Sequence, residues 1–240
     1  MRVAVVDIGS NSTRLLIADV AGGSVTELDR RSVVTRLGEG VDATGRLGDA
    51  PQQRVFDVLD EYAAAIDAEG CARRDAVLTS AVRDAANGAE FARTVRDRYG
   101  LDGRTLSGDE EARLTFLGAT AARDGGERER LLVVDIGGGS TELVTGAGFH
   151  VSTQAGVVRH TERHLADDPP TAEQLEALAR DARAVFEDAV PREVREAIGG
   201  AVAVAGTATS CAAIDLALEP YDASRTEGHV MTVERLAEIR

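Results

Sequence analysis

The chain has 240 residues, of which 43% are hydrophobic, and its net charge is −14 with arginine as its only basic residue besides histidine. A general nucleic-acid binder is excluded, because affinity for a phosphate backbone needs a net basic face. The apolar runs have the length of strands and no signal peptide follows Met1, so we expect a cytoplasmic protein without a membrane span. Cys71 and Cys211 match no metal spacing and are predicted to be reduced and structural.

The first half of the chain predicts strands followed by alternating helices and strands. Hydrophobic residues at helical spacing after Pro51 indicate an amphipathic helix. The elements are strands at 2–8, 13–20, 25–37, 76–80 and 104–107, helices at 51–69 and 109–122, and a further segment at 85–99.

The second half repeats this order. It predicts strands at 131–136, 140–146, 148–154 and 201–206, with helices from about 156, 171 and 207. Three strands followed by alternating helices and strands is the ribonuclease-H-like order, and here it occurs twice. The polar, glycine-bearing link at 122–130 places the boundary between a domain at 1–124 and a domain at 125–240.

One motif is duplicated with a period of 128 residues. When Asp7 is aligned with Asp135, eight of the eleven positions from 5 to 15 are identical to their partners without a gap. A repeat of this length indicates duplicated domains rather than a solenoid of short units.

Each copy places a glycine turn between two strands, where backbone N–H groups can converge on phosphate oxygens. Asp7 and Asp135 end their strands and are placed to hold a hydrated Mg²⁺. One glycine turn alone is better explained as a tight turn, but two copies facing each other across a cleft favour a clamp on one phosphate chain. The predicted phosphate-binding residues are Gly9, Ser10, Asn11, Ser12, Gly137, Gly138, Gly139, Ser140 and Thr141.

The pattern differs from Rossmann and P-loop sites, because neither glycine run opens a helix and the chain has no lysine. It resembles the exopolyphosphatase and guanosine pentaphosphate phosphohydrolase (Ppx/GppA) family of the actin-like superfamily. The resemblance implies an α/β fold with duplicated ribonuclease-H-like domains across a cleft. Five stretches carry it, at 5–17, 78–87, 106–119, 133–144 and 203–214.

The resemblance implies that Glu111 is the catalytic base. Glu110 and Glu111 point about 100° apart on a helix, so only one of them can face a cleft. The alternative is that both are solvated acids of a first helical turn. Arg83 is expected to contact phosphate oxygens, with a salt bridge to a neighbouring Asp as the alternative.

Glu142 takes the place in the second copy that Arg14 takes in the first. The resemblance implies that Glu142 works with Asp135 on the metal, whereas Arg14 is either a phosphate contact or a surface charge. Gly206 and Thr207 form a strand-to-helix turn suited to anions.

His160 and His164 share a predicted helix face and could in principle bind zinc. No third ligand is indicated, so we expect exposed helix histidines.

We therefore expect an enzyme that hydrolyses the terminal phosphate of inorganic polyphosphate, with guanosine pentaphosphate as a second substrate. The alternatives are a kinase of the same superfamily and a non-hydrolytic binder of polyphosphate or alarmone. The chain stops inside an apparent helix, so we expect a short form whose second lobe lacks its last helices. A homodimer is expected by analogy alone.

Overall fold

The computed structural model describes residues 1–121, 123 and 125–239. In these ranges no helix is long and apolar enough to cross a membrane. The first half of the chain contains five strands and five helices in these described ranges. They are β1 (Arg2–Ile8), β2 (Ser12–Ala21), β3 (Ser24–Val34), α1 (Val41–Thr44), α2 (Asp49–Ala68), β4 (Arg73–Leu78), α3 (Ser80–Asp84), α4 (Gly88–Tyr99), β5 (Asp102–Thr105) and α5 (Gly108–Thr120).

The second half repeats the three antiparallel strands and then continues mainly with helices. Its elements are α6 (Gly125–Arg128), β6 (Leu131–Ile136), β7 (Thr141–Thr145), β8 (His150–Thr153), α7 (Val157–His164), α8 (Ala172–Ala189), α9 (Arg192–Ala197), β9 (Gly200–Val204), α10 (Ala205–Asp215), α11 (Ala223–Thr226) and α12 (Val233–Ile239).

Two separate sheets form the two lobes, and they share one topology. The first has the order β3-β2-β1-β4-β5 and the second the order β8-β7-β6-β9. In each sheet the central strand pairs antiparallel with the next strand and parallel with the strand after the helices. The duplicated ribonuclease-H-like order predicted from the sequence is therefore the observed one.

The first lobe has a closed apolar core beneath its sheet. Ala4, Val6 and Ile8 alternate along β1 with at most 1% exposure, and α2 covers them with Leu59 and Tyr62. This period of two on the strand matches the predicted pattern of a half-buried strand.

The sheet of the second lobe is less deeply buried than that of the first lobe. Ala76 on β4 and Ala203 on β9 are equivalent, because they pair with the aligned residues Val6 and Val134. Ala76 is 1% exposed, whereas Ala203 is exposed. In the part of the chain that the structure describes, β9 ends its sheet without the fifth strand that β5 supplies in the first lobe.

Four predicted strands run at least two residues too long at their carboxyl ends. The strand predicted at 25–37 ends at Val34, and the other three run into helices. Ser80 begins α3, Ser107 is the N-cap of α5, and Ala205 begins α10. At Ser107 the side chain accepts from the Glu110 N–H while Glu110 reaches back, a capping box that ends extended structure. The predicted helix end at residue 122 and the predicted boundary after residue 124 lie outside the described residues.

Helix α5 packs against the sheet of the opposite lobe. It contacts β6, β7 and β8 although it follows β5 in sequence. Its first residue approaches β8 so closely that a Cβ on Gly108 would lie 2.5 Å from the Cβ of Ser152. This packing carries Glu111 from the first half of the chain to the strands of the second.

Removal of the Tyr62 hydroxyl is a test of the packing of the first-lobe core. It donates to the Thr13 carbonyl over 3.0 Å in a buried position. Tyr62→Phe leaves that carbonyl without its donor, and we expect the free energy of unfolding to fall by about 1–2 kcal/mol. Tyr221→Phe is the control, because Tyr221 is 55% exposed and water replaces its partner. Urea unfolding of both variants measures the difference, and equal losses would contradict the assignment.

Candidate active site

The two glycine loops adopt the same turn. The Gly9 N–H donates to the Ser12 carbonyl over 3.0 Å, and the Gly137 N–H donates to the Ser140 carbonyl over 3.0 Å. In the strands on either side, Asp7 pairs with Arg14 and Asp135 with Glu142. The sequence repeat is therefore also a repeat of backbone geometry.

The carbonyl groups of the second loop are occupied by helix α7. The N–H groups of Val157 and Val158 donate to the Gly137 and Gly138 carbonyls over 3.0 and 2.8 Å. The Nε of Arg159 donates to the Gly139 carbonyl over 2.8 Å. In a trans peptide the next N–H points the opposite way. The amides of residues 138–140 therefore point away from α7.

The first loop is held in a similar way by the segment after β3. The Gly38 N–H donates to the Ser10 carbonyl over 2.8 Å, and the N–H groups of Thr35 and Arg36 donate to the Asn11 carbonyl. The peptide units that follow Ser10 and Asn11 are thus oriented by donors from outside the loop. Both loops have carbonyls held on one side and amides turned to the other, as an anion-binding nest requires.

The two loops face each other in close contact. A Cβ on Gly138 would lie 3.0 Å from the Cβ of Ser10, and one on Gly139 would lie 2.6 Å from the Oγ of Ser80. On the side of α7, the space bordered by Ser10, Gly138 and Arg159 is about 10 Å³, roughly the room that one water needs. The carbonyl side of the two loops is therefore closed.

Two predicted phosphate donors use their side chains inside the protein. The Ser10 hydroxyl lies 2.8 Å from the Ser80 hydroxyl and accepts from the Ala81 N–H over 3.1 Å. The Thr141 hydroxyl donates to the Ala155 carbonyl. At Ser10 and Thr141 the hydroxyl groups are bonded within the protein, so a ligand would contact their backbone groups instead.

Glu111 lies in the cleft and is paired with Arg83. The Nη1 of Arg83 donates to the Oε2 of Glu111 over 3.0 Å and to the Leu106 carbonyl over 2.9 Å. Burial, followed by the nearby Glu142, raises the pKa of Glu111 to about 7, although Arg83 opposes the shift. Glu110 instead turns to Ser107 in the capping box, so only Glu111 of the adjacent pair faces the cleft.

Glu142 is almost completely buried beside Glu111, with 1% exposure. The Ser152 hydroxyl donates to its Oε1 over 2.7 Å. Burial raises the pKa of Glu142, while hydrogen bonds from Ser152 and Ser140 favour its ionised form. Ser152 was not predicted as a site residue, because only its pairing opposite Glu142 on β8 reveals the contact.

Asp7 and Asp135 approach each other from the two lobes. Burial raises the pKa of both carboxyls, Arg14 lowers both, and Asp135 raises that of Asp7. The Nη1 of Arg14 lies 3.7 Å from the Oδ2 of Asp7. Arg14 therefore faces the cleft, which favours a phosphate contact over a plain surface charge.

Thr115 was missed from the sequence. Its hydroxyl donates to the Oδ2 of Asp135 over 3.1 Å. It follows Glu111 by four residues in α5, and this spacing places both on one helix face. The spacing was therefore the signal that could have identified it.

In the described residues Asp7, Asp135 and Glu142 do not form a cluster of three carboxylates, and their predicted role with a hydrated cation stays a prediction. Throughout residues 1–121, 123 and 125–239, no three His, Cys, Asp or Glu side chains converge to hold a metal ion. Glu142 is instead fixed by Ser152 in the second lobe, while Asp7 belongs to the first lobe. The facing pair of Asp7 and Asp135 remains as a site for a largely hydrated divalent cation.

Gly206 and Thr207 lie in the first turn of α10, not before it. Among the hydrogen bonds of the described residues, none joins them to the loops or to the cleft carboxylates. The expectation that they bind phosphate thus stays a prediction.

The expectation of exposed histidines is wrong for His160. It is 4% exposed, and its Nε2 lies 3.6 Å from the Oδ2 of Asp181 on α8. The Nε2 of His164 lies 2.8 Å from the same oxygen. Packing of α8 over α7 covers this face, which the sequence of α7 alone did not indicate. Cys71 is buried and Cys211 is half-buried, and both are free thiols.

Fold and site together define a two-lobed α/β protein with facing glycine loops and carboxylates in the cleft between them. Residues 16–239 match the Ppx/GppA phosphatase family. The chain is 39% identical over 235 residues to Exopolyphosphatase 2 of Mycobacterium tuberculosis, covering 93% of this chain and 73% of that one. It is 37% identical over 186 residues to Exopolyphosphatase 1 of the same organism, covering 75% of this chain and 54% of that one, about half its length.

Solved structures agree with this result. An exopolyphosphatase-like protein has a TM-score of 0.89 at 34% identity, covering 98% of this chain and 76% of its own. The Aquifex aeolicus PPX-GPPA enzyme has a TM-score of 0.77 at 32% identity, covering 100% and 79%. The chain belongs to the Ppx/GppA phosphatase family, which confirms the resemblance, the duplicated fold and a hydrolase acting on phosphoanhydride bonds.

The raised pKa of Glu111 has a consequence for stability. Because the folded state raises this pKa from 4.5 to about 7, it favours the protonated carboxyl. That contribution is fully present below about pH 4.5 and is lost as the pH rises through 7. Glu111→Gln removes the buried charge, so we expect it to increase the free energy of unfolding by roughly 2–4 kcal/mol at pH 8 and by little at pH 4.5.

Urea unfolding at both pH values measures this difference. Glu110→Gln is the control, because the hydrogen bond with Ser107 lowers the pKa of Glu110 and gives the opposite sign. If Glu111→Gln raised the free energy of unfolding equally at both pH values, burial of the Glu111 charge would not be the cause of the increase.

Proposed function

We propose that the protein is an exopolyphosphatase, which hydrolyses the terminal phosphate of linear inorganic polyphosphate by attack of water. The observation that carries this proposal is the buried Glu111 carboxyl, held by Arg83 and poised with a pKa of about 7. A general base is most effective when its pKa lies near the working pH. The names of the mycobacterial relatives support the same substrate.

In this proposal Glu111 orients the attacking water and accepts its proton. Arg83 fixes the carboxylate through Nη1 and borders a cavity of about 370 Å³ between α5 and β8. That volume is within the usual range for ligand pockets. The end of the polyphosphate chain enters beside Arg83. The water oxygen bonds to the terminal phosphorus as its proton passes to Glu111, and the bridging P–O bond breaks, so that the shortened chain leaves with the electron pair of that bond.

The backbone amides of residues 138–140 and the facing first loop bind the terminal phosphate. Arg14 adds positive charge at Asp7. Little covalent chemistry is required of a protein in phosphoryl transfer, so positioning and charge neutralisation provide most of the catalysis.

A divalent cation, with Mg²⁺ as our proposal, fits the carboxylate pair of Asp7 and Asp135. Mg²⁺ keeps several waters and binds through one or two carboxylates together with substrate phosphates. When bound, it neutralises phosphate charge and polarises the phosphoryl oxygens. The raised pKa values of Asp7 and Asp135 reflect buried carboxyls that a cation would stabilise in the ionised form.

Guanosine pentaphosphate is the alternative substrate, because the chain belongs to the joint Ppx/GppA phosphatase family. The free thiols of Cys71 and Cys211 suit a reducing compartment, and we place the reaction in the cytoplasm. The homodimer stays a prediction from the resemblance.

Substitution of Glu111 tests the proposed chemistry. We expect Glu111→Gln to lower kcat for phosphate release from long-chain polyphosphate with Mg²⁺ by about 10²–10⁴-fold, because the base is lost. Polyphosphate binding should persist. The matched control is Glu110→Gln, which is adjacent in sequence but turned to Ser107, and it should keep kcat within about threefold.

Guanosine pentaphosphate and ATP, assayed in parallel, rank the substrates. Phosphate release by the wild type only from guanosine pentaphosphate would replace polyphosphate with the alternative. Binding of polyphosphate without release under any divalent cation would identify a binder, and a phosphorylated acceptor formed from ATP would identify a kinase.

The pH dependence of kcat tests the same carboxyl independently. Because the base must be ionised, we expect kcat to fall as the pH drops through an apparent pKa near 7, which belongs to the interacting Glu111 and Glu142. Arg83→Gln removes an interaction that lowers the Glu111 pKa, so this limb should move to higher pH. Steady-state rates from pH 5 to 9 measure both, and a shift to lower pH in the variant would contradict the assignment.

A further inference from the structure

Arg159 is the only side chain in the described residues whose hydrogen bond reaches the Gly139 carbonyl of the second loop. It lies in the first turn of α7, and its side chain is 12% exposed. The contact from Nε measures 2.8 Å. It completes the set of carbonyls that α7 holds, and so fixes the peptide that carries the Ser140 N–H.

The other two nitrogens of the same guanidinium contact the opposite lobe. Nη1 pairs with Asp42 of α1, and Nη2 lies 2.7 Å from the Oδ2 of Asp84 in α3. A planar guanidinium can satisfy three partners in fixed directions, which an ammonium group cannot do. The loop geometry of one lobe is therefore fixed to two carboxylates of the other.

Asp84 connects this contact to the base. It directly follows Arg83 in α3, and its Oδ1 lies 3.9 Å from the Nε of Arg83. Arg83 in turn donates to Glu111. A continuous path thus runs from the second loop through Arg159, Asp84 and Arg83 to the carboxyl at the end.

We propose that Arg159 is a positioning residue that holds the amides of the second loop in register with Arg83 and Glu111 across the junction of the two lobes. The inference rests on the proposed function for its effect on rate, but not for its effect on structure. Arg159 thus contributes to catalysis from α7 without touching the substrate.

Arg163 supplies the matched control. Its Nε and Nη2 lie 2.5 and 2.7 Å from the two oxygens of Asp42, so it also joins the lobes. It makes no described contact with Gly139 or with Asp84. Loss of Arg163 weakens the junction of the lobes while leaving the path from the loop to Arg83 in place.

The kinetic test compares Arg159→Ala, Arg159→Lys and Arg163→Ala with the wild type on long-chain polyphosphate. We expect both Arg159 variants to lower kcat at least tenfold, because a displacement of about 1 Å in a positioned group can cost as much as 10²-fold. Lysine should not rescue, since it keeps the charge but not the three contacts. Arg163→Ala should keep kcat within twofold and change mainly KM.

Thermal unfolding first establishes that each variant is folded. If Arg159→Ala is unfolded, the kcat of Arg159→Lys tests the proposal. A kcat within twofold of wild type for a folded Arg159 variant would overturn the proposal. An equal loss in Arg163→Ala would also overturn it, because general closure of the lobes would then explain the effect.

Hydrogen exchange of the same proteins without substrate separates this proposal from the proposed function. We expect Arg159→Lys to increase exchange in both segments 80–84 and 137–142, and Arg163→Ala to increase it in neither. If the wild type releases no phosphate, the proposed function fails, and exchange alone decides on Arg159. Unchanged exchange in both segments for Arg159→Lys would then overturn the positioning role.

Discussion

Unsatisfied backbone groups at two short turns determine the arrangement of the cleft. A carbonyl that leaves a strand for a glycine turn loses its ladder partner and needs another donor. In the second lobe these donors come from the start of α7, and in the first lobe from residues 35–38. Since C=O and N–H groups of one peptide are opposed, this choice of donors also decides which way the amides point. The direction of the amides, on which the proposed binding of phosphate rests, is thus a consequence of how the turns are completed.

The same cleft concentrates like charges. Asp7, Asp135, Glu111 and Glu142 all have pKa values raised first by burial. Arg14 and Arg83 supply the positive charge among the causes that oppose these shifts, and hydrogen bonds from Thr115, Ser140 and Ser152 oppose them as well. A polyanionic substrate would be repelled by such a set unless a cation binds and one carboxyl accepts a proton. An acidic protein can therefore bind a phosphate chain only where amides, arginines and metal meet locally.

Local sequence was sufficient for the parts of the site that lie within one element. The repeated Asp-Ile-Gly and Ser-Thr residues identified both turns, and helical geometry separated Glu111 from Glu110. Contacts between distant residues were not accessible in this way. Pairing of β7 with β8 placed Ser152 against Glu142, ten residues away on another strand. Packing of α5 on the same sheet brought Glu111 to these strands. The pairing of Arg159 with Asp42 spans 117 residues, and no periodicity indicates it.

The diverted hydroxyl of Ser10 shows a second limit. The sequence predicts that Ser10 binds phosphate through the backbone of its loop, but it did not indicate that Ser80 and the Ala81 N–H would contact its hydroxyl. Those partners belong to α3, whose start lay inside a predicted strand. The predicted strand ran two residues too far at this point, and the contact of Ser80 with a side chain seventy positions away depends on tertiary packing.

Contact between the lobes links these features. On the side of α7 the loops leave room for about one water, whereas a cavity of about 370 Å³ lies beside Arg83. The residues that meet at this junction belong to the segments that hold the site: Gly38 orients the first loop, α7 orients the second, and α3 carries Arg83. The Gly40 N–H adds a contact with Glu162 of α7. Because the same segments join the lobes and orient the amides, the contact between the lobes and the geometry of the loops depend on each other.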